Sequence, residues 1–339
     1  MDAPNPPIHE QSQSPLFALP AEIRLHIFSF AITKSLDLAH PYSPDTYYSR
    51  PGYTAPRPMD TALLHTCKRI YAETRHFPFV NADLTFFLCS HARAPGFIPL
   101  PQLRQVLARK QTIHGALETL HIQIFAQLYV LEQNRDFQDV LDVPHLDPKR
   151  VTLTIRHSDF WFWEDWQKLR IDGQWVNRVR FPNSVVEFVI EMETIDKRAE
   201  EVQYLAEEAV GKWFFTRKDG RILKAEKSDT RTSTWTGSSV LDDRRWVRDE
   251  ARPGELDYLV VTNRWKLVSA LGVEMLGLDL STPRPSLNVP VGVGQDPPGL
   301  YWRSSIGIRE MERKGVTKET PAGQAIRLVS PVGRRFQRR

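Results

Sequence analysis

Leu117-Glu118-Thr119-Leu120-His121-Ile122-Gln123-Ile124, Val151-Thr152-Leu153-Thr154-Ile155 and Val186-Glu187-Phe188-Val189-Ile190-Glu191-Met192 share one pattern. In each, apolar residues occupy every second position, the period of a half-buried strand. The three stretches begin near residues 117, 151 and 186, hence 34 and 35 apart. Helix-like segments lie between them, around Leu128 to Leu141 and Phe160 to Leu169. That spacing suits strand–helix units whose strands run parallel, because a parallel crossover needs a dozen or more residues. The form L-x-x-L-x-I-x-I at Leu117 to Ile124 faintly echoes a leucine-rich-repeat strand, but the other two copies lack it and the Asn that completes such a repeat. The expected fold class is α+β or α/β: a body of short, partly parallel strands with helices on one side.

Towards the C-terminus, Ile195 to Val210 reads as the clearest helix of the body, with Ala199, Val202, Leu205, Ala206 and Ala209 on its apolar face. Glu200, Glu201, Glu207 and Glu208 fall mainly outside that face, and Gly211 is placed as a stop. Trp213-Phe214-Phe215, Asp219-Gly220 and Ile222-Leu223 form a hairpin signature with a D-G turn. Residues 226–255 read as a long polar loop, Leu256 to Thr262 as a strand and Trp265 to Leu276 as a helix. From 281 to 339 repeated Pro and Gly predict a mostly unstructured basic tail, separable near residue 280, with Leu300-Tyr301-Trp302 and Ile306 to Ile308 as the segments able to dock.

Towards the N-terminus, Leu84 to Leu88 is a short strand. Leu63, Leu64, Cys67, Ile70, Tyr71, Thr74 and Phe77 make one face of a helix ended by Pro78. Five prolines between 39 and 60 exclude a regular helix there. Before that loop, Pro20 suits a helix's first turn and Glu22 its dipole, while Ile23, Ile27, Phe30 and Ala31 form an apolar stripe that leaves Leu25 and Phe28 off it. Residues 1–15 read as a disordered leader.

Leu19-Pro20-Ala21-Glu22-Ile23-Arg24-Leu25-His26-Ile27-Phe28 resembles the opening helix of an F-box, and Thr66-Cys67-Lys68-Arg69-Ile70 its closing helix. With Ala62 to Glu73 and Thr154 to Glu164, the chain is similar over about residues 16–280 to a group of F-box-like fungal proteins. The loop between the helices is longer than usual, and the closing aromatic position holds Ile70 with Tyr71 one residue late. The resemblance implies a non-enzymatic interaction module docking the adaptor subunit of a cullin–RING ubiquitin ligase, with Leu16, Leu19, Pro20, Ile23 and Ile27 facing that partner. It brings no catalytic residue. The implied division is an F-box-like segment at 16–78, an α/β body at 79–280, of which residues 100–280 would hold a protein substrate, and the tail.

Composition fits an intracellular globular protein. Hydrophobic residues make 41% and charged residues 25% of the 339, enough to bury a sizeable core. No apolar run spans a membrane, and Met1 to Ser14 lacks the features of a secretory signal. Cys67 and Cys89 form no C-x-x-C pair, which argues against a disulfide framework or Cys-rich zinc site and for cytosol or nucleus. Residues 303–339 hold ten Lys/Arg against three Asp/Glu, so of the net +4 the tail carries +7 and the preceding 302 residues −3. The body is thus not a basic nucleic-acid surface. The end, Gly333 to Arg339, reads as a targeting or solubilising tail.

The densest chemistry is Arg156-His157-Ser158-Asp159-Phe160-Trp161-Phe162-Trp163-Glu164-Asp165-Trp166. One meaning is a small-ligand or carbohydrate site, with Trp161 and Trp163 stacking on a ring, Asp159, Glu164 or Asp165 accepting hydroxyl protons, and paired carboxylates serving acid–base work. The other is structural: Ser158 or Asp159 caps a helix, and Trp163 and Trp166 pack it on the sheet. His157 and Asp159 lack nearby third and fourth metal ligands. No P-loop, G-x-G-x-x-G, G-x-S-x-G or H-E-x-x-H pattern occurs, so no cofactor is expected.

Overall fold

The three alternating stretches become parallel strands of one sheet. The computed structural model describes residues 8–81, 83–115, 119–269, 279–296 and 304–330. In chain order its strands are β1 (Asp83–Leu88), β2 (Thr119–Ala126), β3 (Pro148–Ile155), β4 (Arg170–Ile171), β5 (Arg180–Phe181), β6 (Glu187–Ile195), β7 (Phe214–Arg217), β8 (Ile222–Ala225), β9 (Arg231–Ser238), β10 (Val240–Leu241), β11 (Arg244–Arg245), β12 (Glu255–Leu267), β13 (Leu287–Asn288) and β14 (Ile306–Gly307). The main sheet runs β1-β2-β3-β6-β12-β8-β7-β5, with β9 also on β12. β1, β2, β3 and β6 are parallel in sequence order, with Leu84 beside Ile122, Ile124 beside Leu153 and Leu153 beside Ile190. Beyond β6 the pairing turns antiparallel: β12 runs along all of β6, and its other edge takes β9 at Glu255–Thr262 and β8 at Trp265–Leu267.

Alternation sorts the two faces. Phe86, Ile122, Ile124, Val151, Leu153, Ile155, Phe188, Ile190, Met192, Val261 and Trp265 form the face that builds the core. Helices cover that face, chiefly Leu128–Gln133, Asp136–Leu141, Gln174–Arg178 and Ala199–Lys212. Its centre is a ring cluster: Phe181–Phe188 at 4.6 Å, Phe188–Phe215 at 4.7 Å and Phe215–Trp265 at 5.4 Å. The Asp219-Gly220 hairpin is present, with Gly220 at φ +83°, which a Cβ disfavours.

The opposite face is polar and carries a ladder across the parallel strands. His121 bonds Asp83 (2.8 Å) and Thr152 (2.9 Å). Gln123 donates to Thr154, whose hydroxyl donates to Glu191 at 2.6 Å. The proline-rich segment 39–60 lies across this face as a strap. Arg57 pairs with Asp83 at 2.8 Å, Arg50 with Glu193 at 3.3 Å, and Tyr53 stands edge-on to Phe125 at 4.9 Å. Prolines leave the strap's backbone few internal bonds, so contacts with the body hold it, through its side chains and through the carbonyls of Asp45 and Tyr47, which accept from Asp242 N and Arg156. Burial pushes the Tyr53 hydroxyl up to about 12.

Several expectations are corrected. The stretch Leu128 to Leu141 is two helices broken at Asn134-Arg135. Phe160 to Leu169 is not helical; it holds a 3-10 turn at Trp163–Asp165 between two left-handed residues, Phe162 (φ +51°) and Trp166 (φ +58°). Ala62–His65 is a 3-10 turn and Lys68–Thr74 a helix, while Pro78 sits inside the first turn of a further short helix, Phe77–Val80, instead of ending one. Residues 226–255 contain β9, β10 and β11. β12 continues to Leu267 where a helix was expected from Trp265; that expectation from 270 onward, like Leu300-Tyr301-Trp302, the basic end at 333–339 and the leader's first seven residues, lies outside the described residues. Glu201, read as outward, is enclosed and paired with Arg198 at 2.8 Å.

The tail is the largest correction. β13 pairs with β4, and Trp213 donates its indole N–H to Pro285 O at 2.9 Å. Gly173 meets this segment so closely that a Cβ there would stand 2.4 Å from Pro285 O. β14 pairs with β11, and the helices Ile308–Arg313 and Ala322–Val329 bury Ile306, Met311, Val316, Ala325 and Val329 against Val247. No helix among the described residues is long and apolar enough to cross a membrane.

Candidate functional site

Two places carry the residues singled out by the sequence. The first is the helix Ala21–Ala31. Its inward side is Arg24, Phe28 and then Ile32, spaced four apart and thus aligned along one face. Arg24 grips Glu73 of the helix Lys68–Thr74 with two nitrogens, at 3.0 and 3.3 Å, and caps Leu19 O at 2.6 Å. Burial raises the Glu73 carboxyl, but the hydrogen bonds and charges of Arg24 and Arg69 outweigh it and hold the group below its ordinary range. With that side fixed, the apolar stripe turns to solvent. Ile23 is 49% exposed, Ile27 42%, Phe30 71% and Leu19 38%. Pro20 is also exposed, and Leu16 is half-buried. Leu19, Pro20, Ile23 and Ile27 thus share an open surface that the body leaves uncovered.

The second place is the segment 156–166, where the structure separates what the sequence put together. Asp159 takes bonds from Arg156 N (3.1 Å), Nε (2.6 Å) and Nη2 (3.1 Å), closing a tight turn just after β3. Arg156 also donates to the carbonyls of Tyr47 and Arg93. Both members of the pair are buried, so the turn anchors the strap to the sheet. From there the three tryptophans diverge. Trp163 packs with Leu241, Trp246 and Tyr47, and Trp166 with Ile195, Leu256 and Tyr258. Trp161 is half-buried and donates its N–H to Glu132 at 2.6 Å. Glu164 is 45% exposed and sits 3.8 Å from Arg93. Trp161, Trp163 and Glu164 therefore line no common concavity.

His157 is fully enclosed, with Nδ1 3.1 Å from Thr194 Oγ1 and its ring edge-on to Trp163 at 5.3 Å. The space lined by Arg50, Arg156, His157, Glu193, Trp235 and Tyr258 is about 20 Å³, room for one water and not for a metabolite. Burial raises the thiol of Cys89, the opposite of an activated nucleophile. Sequence reasoning missed Arg50, Arg93, Glu193 and Tyr258, which complete this cluster; they come from the strap, a 3-10 turn and two strands, and no local pattern joins elements so far apart in the chain.

No protein-family model, no curated protein and no solved structure matches this chain.

The buried imidazole has a measurable consequence. Burial, and then the charges of Arg198, Arg248 and Arg93, hold His157 well below its usual 6.5. Below pH 6.5 the unfolded chain binds a proton that the folded chain refuses, so this residue's contribution is complete above about 6.5 and falls with pH, by up to about 1.4 kcal/mol per unit. Urea titrations between pH 7.5 and 5 should show a shallower stability slope for His157→Phe than for the wild type. Equal slopes would place the titrating group elsewhere.

Proposed function

We propose that this chain is a protein-interaction module whose N-terminal helices dock a partner through Leu16, Leu19, Pro20, Ile23 and Ile27. The observation that carries this is the orientation of the helix Ala21–Ala31: Arg24 and Phe28 are its internal contacts, and Ile23, Ile27 and Phe30 stand in solvent. Exposed apolar residues clustered on one helix face mark interaction sites more often than scattered ones do. The F-box resemblance names the partner as the adaptor subunit of a cullin–RING ubiquitin ligase, with the α/β body presenting a protein substrate and the chain working in cytosol or nucleus. The parallel order of β1, β2, β3 and β6 is what supports a receptor body of loosely leucine-rich-repeat kind, although paired residues recur unevenly, 38, 29 and 37 apart (Leu84–Ile122, Ile124–Leu153, Leu153–Ile190).

Co-purification from cells of wild type and of Ile23→Asp/Ile27→Asp is the test. The wild type should bring down the adaptor, and the double variant should lose at least about tenfold of it, since a hot-spot residue is worth more than about 1 kcal/mol. Equal recovery from both would reject the stripe as the contact.

A further inference from the structure

On the far side of the sheet from the strap, the helices Leu128–Gln133, Asp136–Leu141 and Gln174–Arg178 enclose a half-open recess of about 410 Å³. Leu131, Phe137, Trp175 and Val179 line its apolar floor, and Arg135, Arg178 and Arg180 stand around it exposed. The volume falls within the range of small-molecule sites. No carboxylate lines it, and none of the three arginines is in an ion pair among the described residues. Arg178 donates to Glu132 O and Arg180 to the carbonyls of Asn177 and Val179, contacts that position the guanidinium groups without neutralising them. Asp142, whose carboxyl feels the charge of Arg135, is held by Lys218 at 2.7 Å. Trp175 is 3% exposed and contributes its ring to that floor.

We infer that this recess binds a small organic carboxylate with an aromatic or branched apolar body. The body covers Phe137, Trp175, Leu131 and Val179, where ring faces favour another ring. The carboxylate meets the arginines, whose planar forks match its two oxygens. The site is independent of the docking helix and of residues 157–166.

Calorimetric or ligand-observed NMR titration of the full chain with 3-phenylpropionate, its primary amide and acetate tests this. The acid should bind saturably, and the amide and acetate at least about tenfold more weakly, because the acid alone combines the charge with the apolar body. Arg135→Met/Arg178→Met should lose the acid by a similar factor with an unchanged melting temperature, and Trp175→Phe should weaken it while keeping the ring. Failure of the acid to bind, equal binding of the amide, or wild-type affinity in the folded double variant would each overturn the inference. The acid–amide comparison uses wild-type protein alone, so it decides the matter even if a variant fails to fold.

Discussion

A chain truncated after Leu280 should be recovered aggregated, or should melt about 10 °C or more below the full chain, as expected for a loss of several kcal/mol at this size. Truncation removes Leu287, Val289, Ile306, Met311, Val316 and Val329, all buried. The cost extends beyond the lost residues. Arg245, fully enclosed and paired with Glu250 at 2.5 Å, would lose the carbonyls of Thr317 (2.8 Å) and Thr320 (2.6 Å). Trp213 would lose the acceptor for its N–H, and Val247 its cover. A buried donor left without a partner costs about 1–3 kcal/mol, and more when charged. Differential scanning calorimetry of the two chains decides it: an unchanged melting temperature would show that the segment is an independent appendage.

Arg156→Met should cost about 3–5 kcal/mol of unfolding free energy, the cost of leaving a buried charge without its partner. Met keeps most of the volume, so the loss is electrostatic. Asp159 stays fully enclosed, with Arg93 still 3.7 Å away. The strap also loses its bond at Tyr47 O. Urea unfolding measures the loss, and Arg156→Met/Asp159→Leu should recover much of it, because an apolar pair of similar volume can replace a buried ion pair. A loss under about 1 kcal/mol in the single variant would mean that the turn after β3 does not anchor the strap.

The parallel strands were legible because alternation is local: Ile122 and Ile124, or Leu153 and Ile155, declare their face within a few residues. The tail was not. Ile308 and Met311, and Ala322, Ala325, Ile326 and Val329, do repeat at helical spacing, but both runs are short and set among Pro, Gly and basic residues, and their partner Val247 lies in a stretch whose charges read as solvent-facing. Arg245, Arg248, Asp249 and Glu250 are all buried there, and composition cannot distinguish a paired buried charge from an exposed one. At 160–169 the apolar spacing fitted a helix, yet the Arg156–Asp159 turn and the left-handed Phe162 and Trp166 send each tryptophan to a different neighbour. In the helix Ala21–Ala31 the stripe of Ile23 and Ile27 was plain, but a stripe has the same period whether it meets core or solvent. Its direction is set by Arg24 reaching Glu73 across 49 residues, a pairing that no local pattern contains.

The most direct test of the proposed docking face is equilibrium binding of the purified full chain to the purified cullin–RING adaptor, measured beside the melting temperatures of wild type and Ile23→Asp/Ile27→Asp. Because both isoleucines are exposed, the double variant should melt with the wild type and lose most of its affinity. A wild type that does not bind, a variant that binds equally, or a variant that unfolds because the stripe is core would contradict the account.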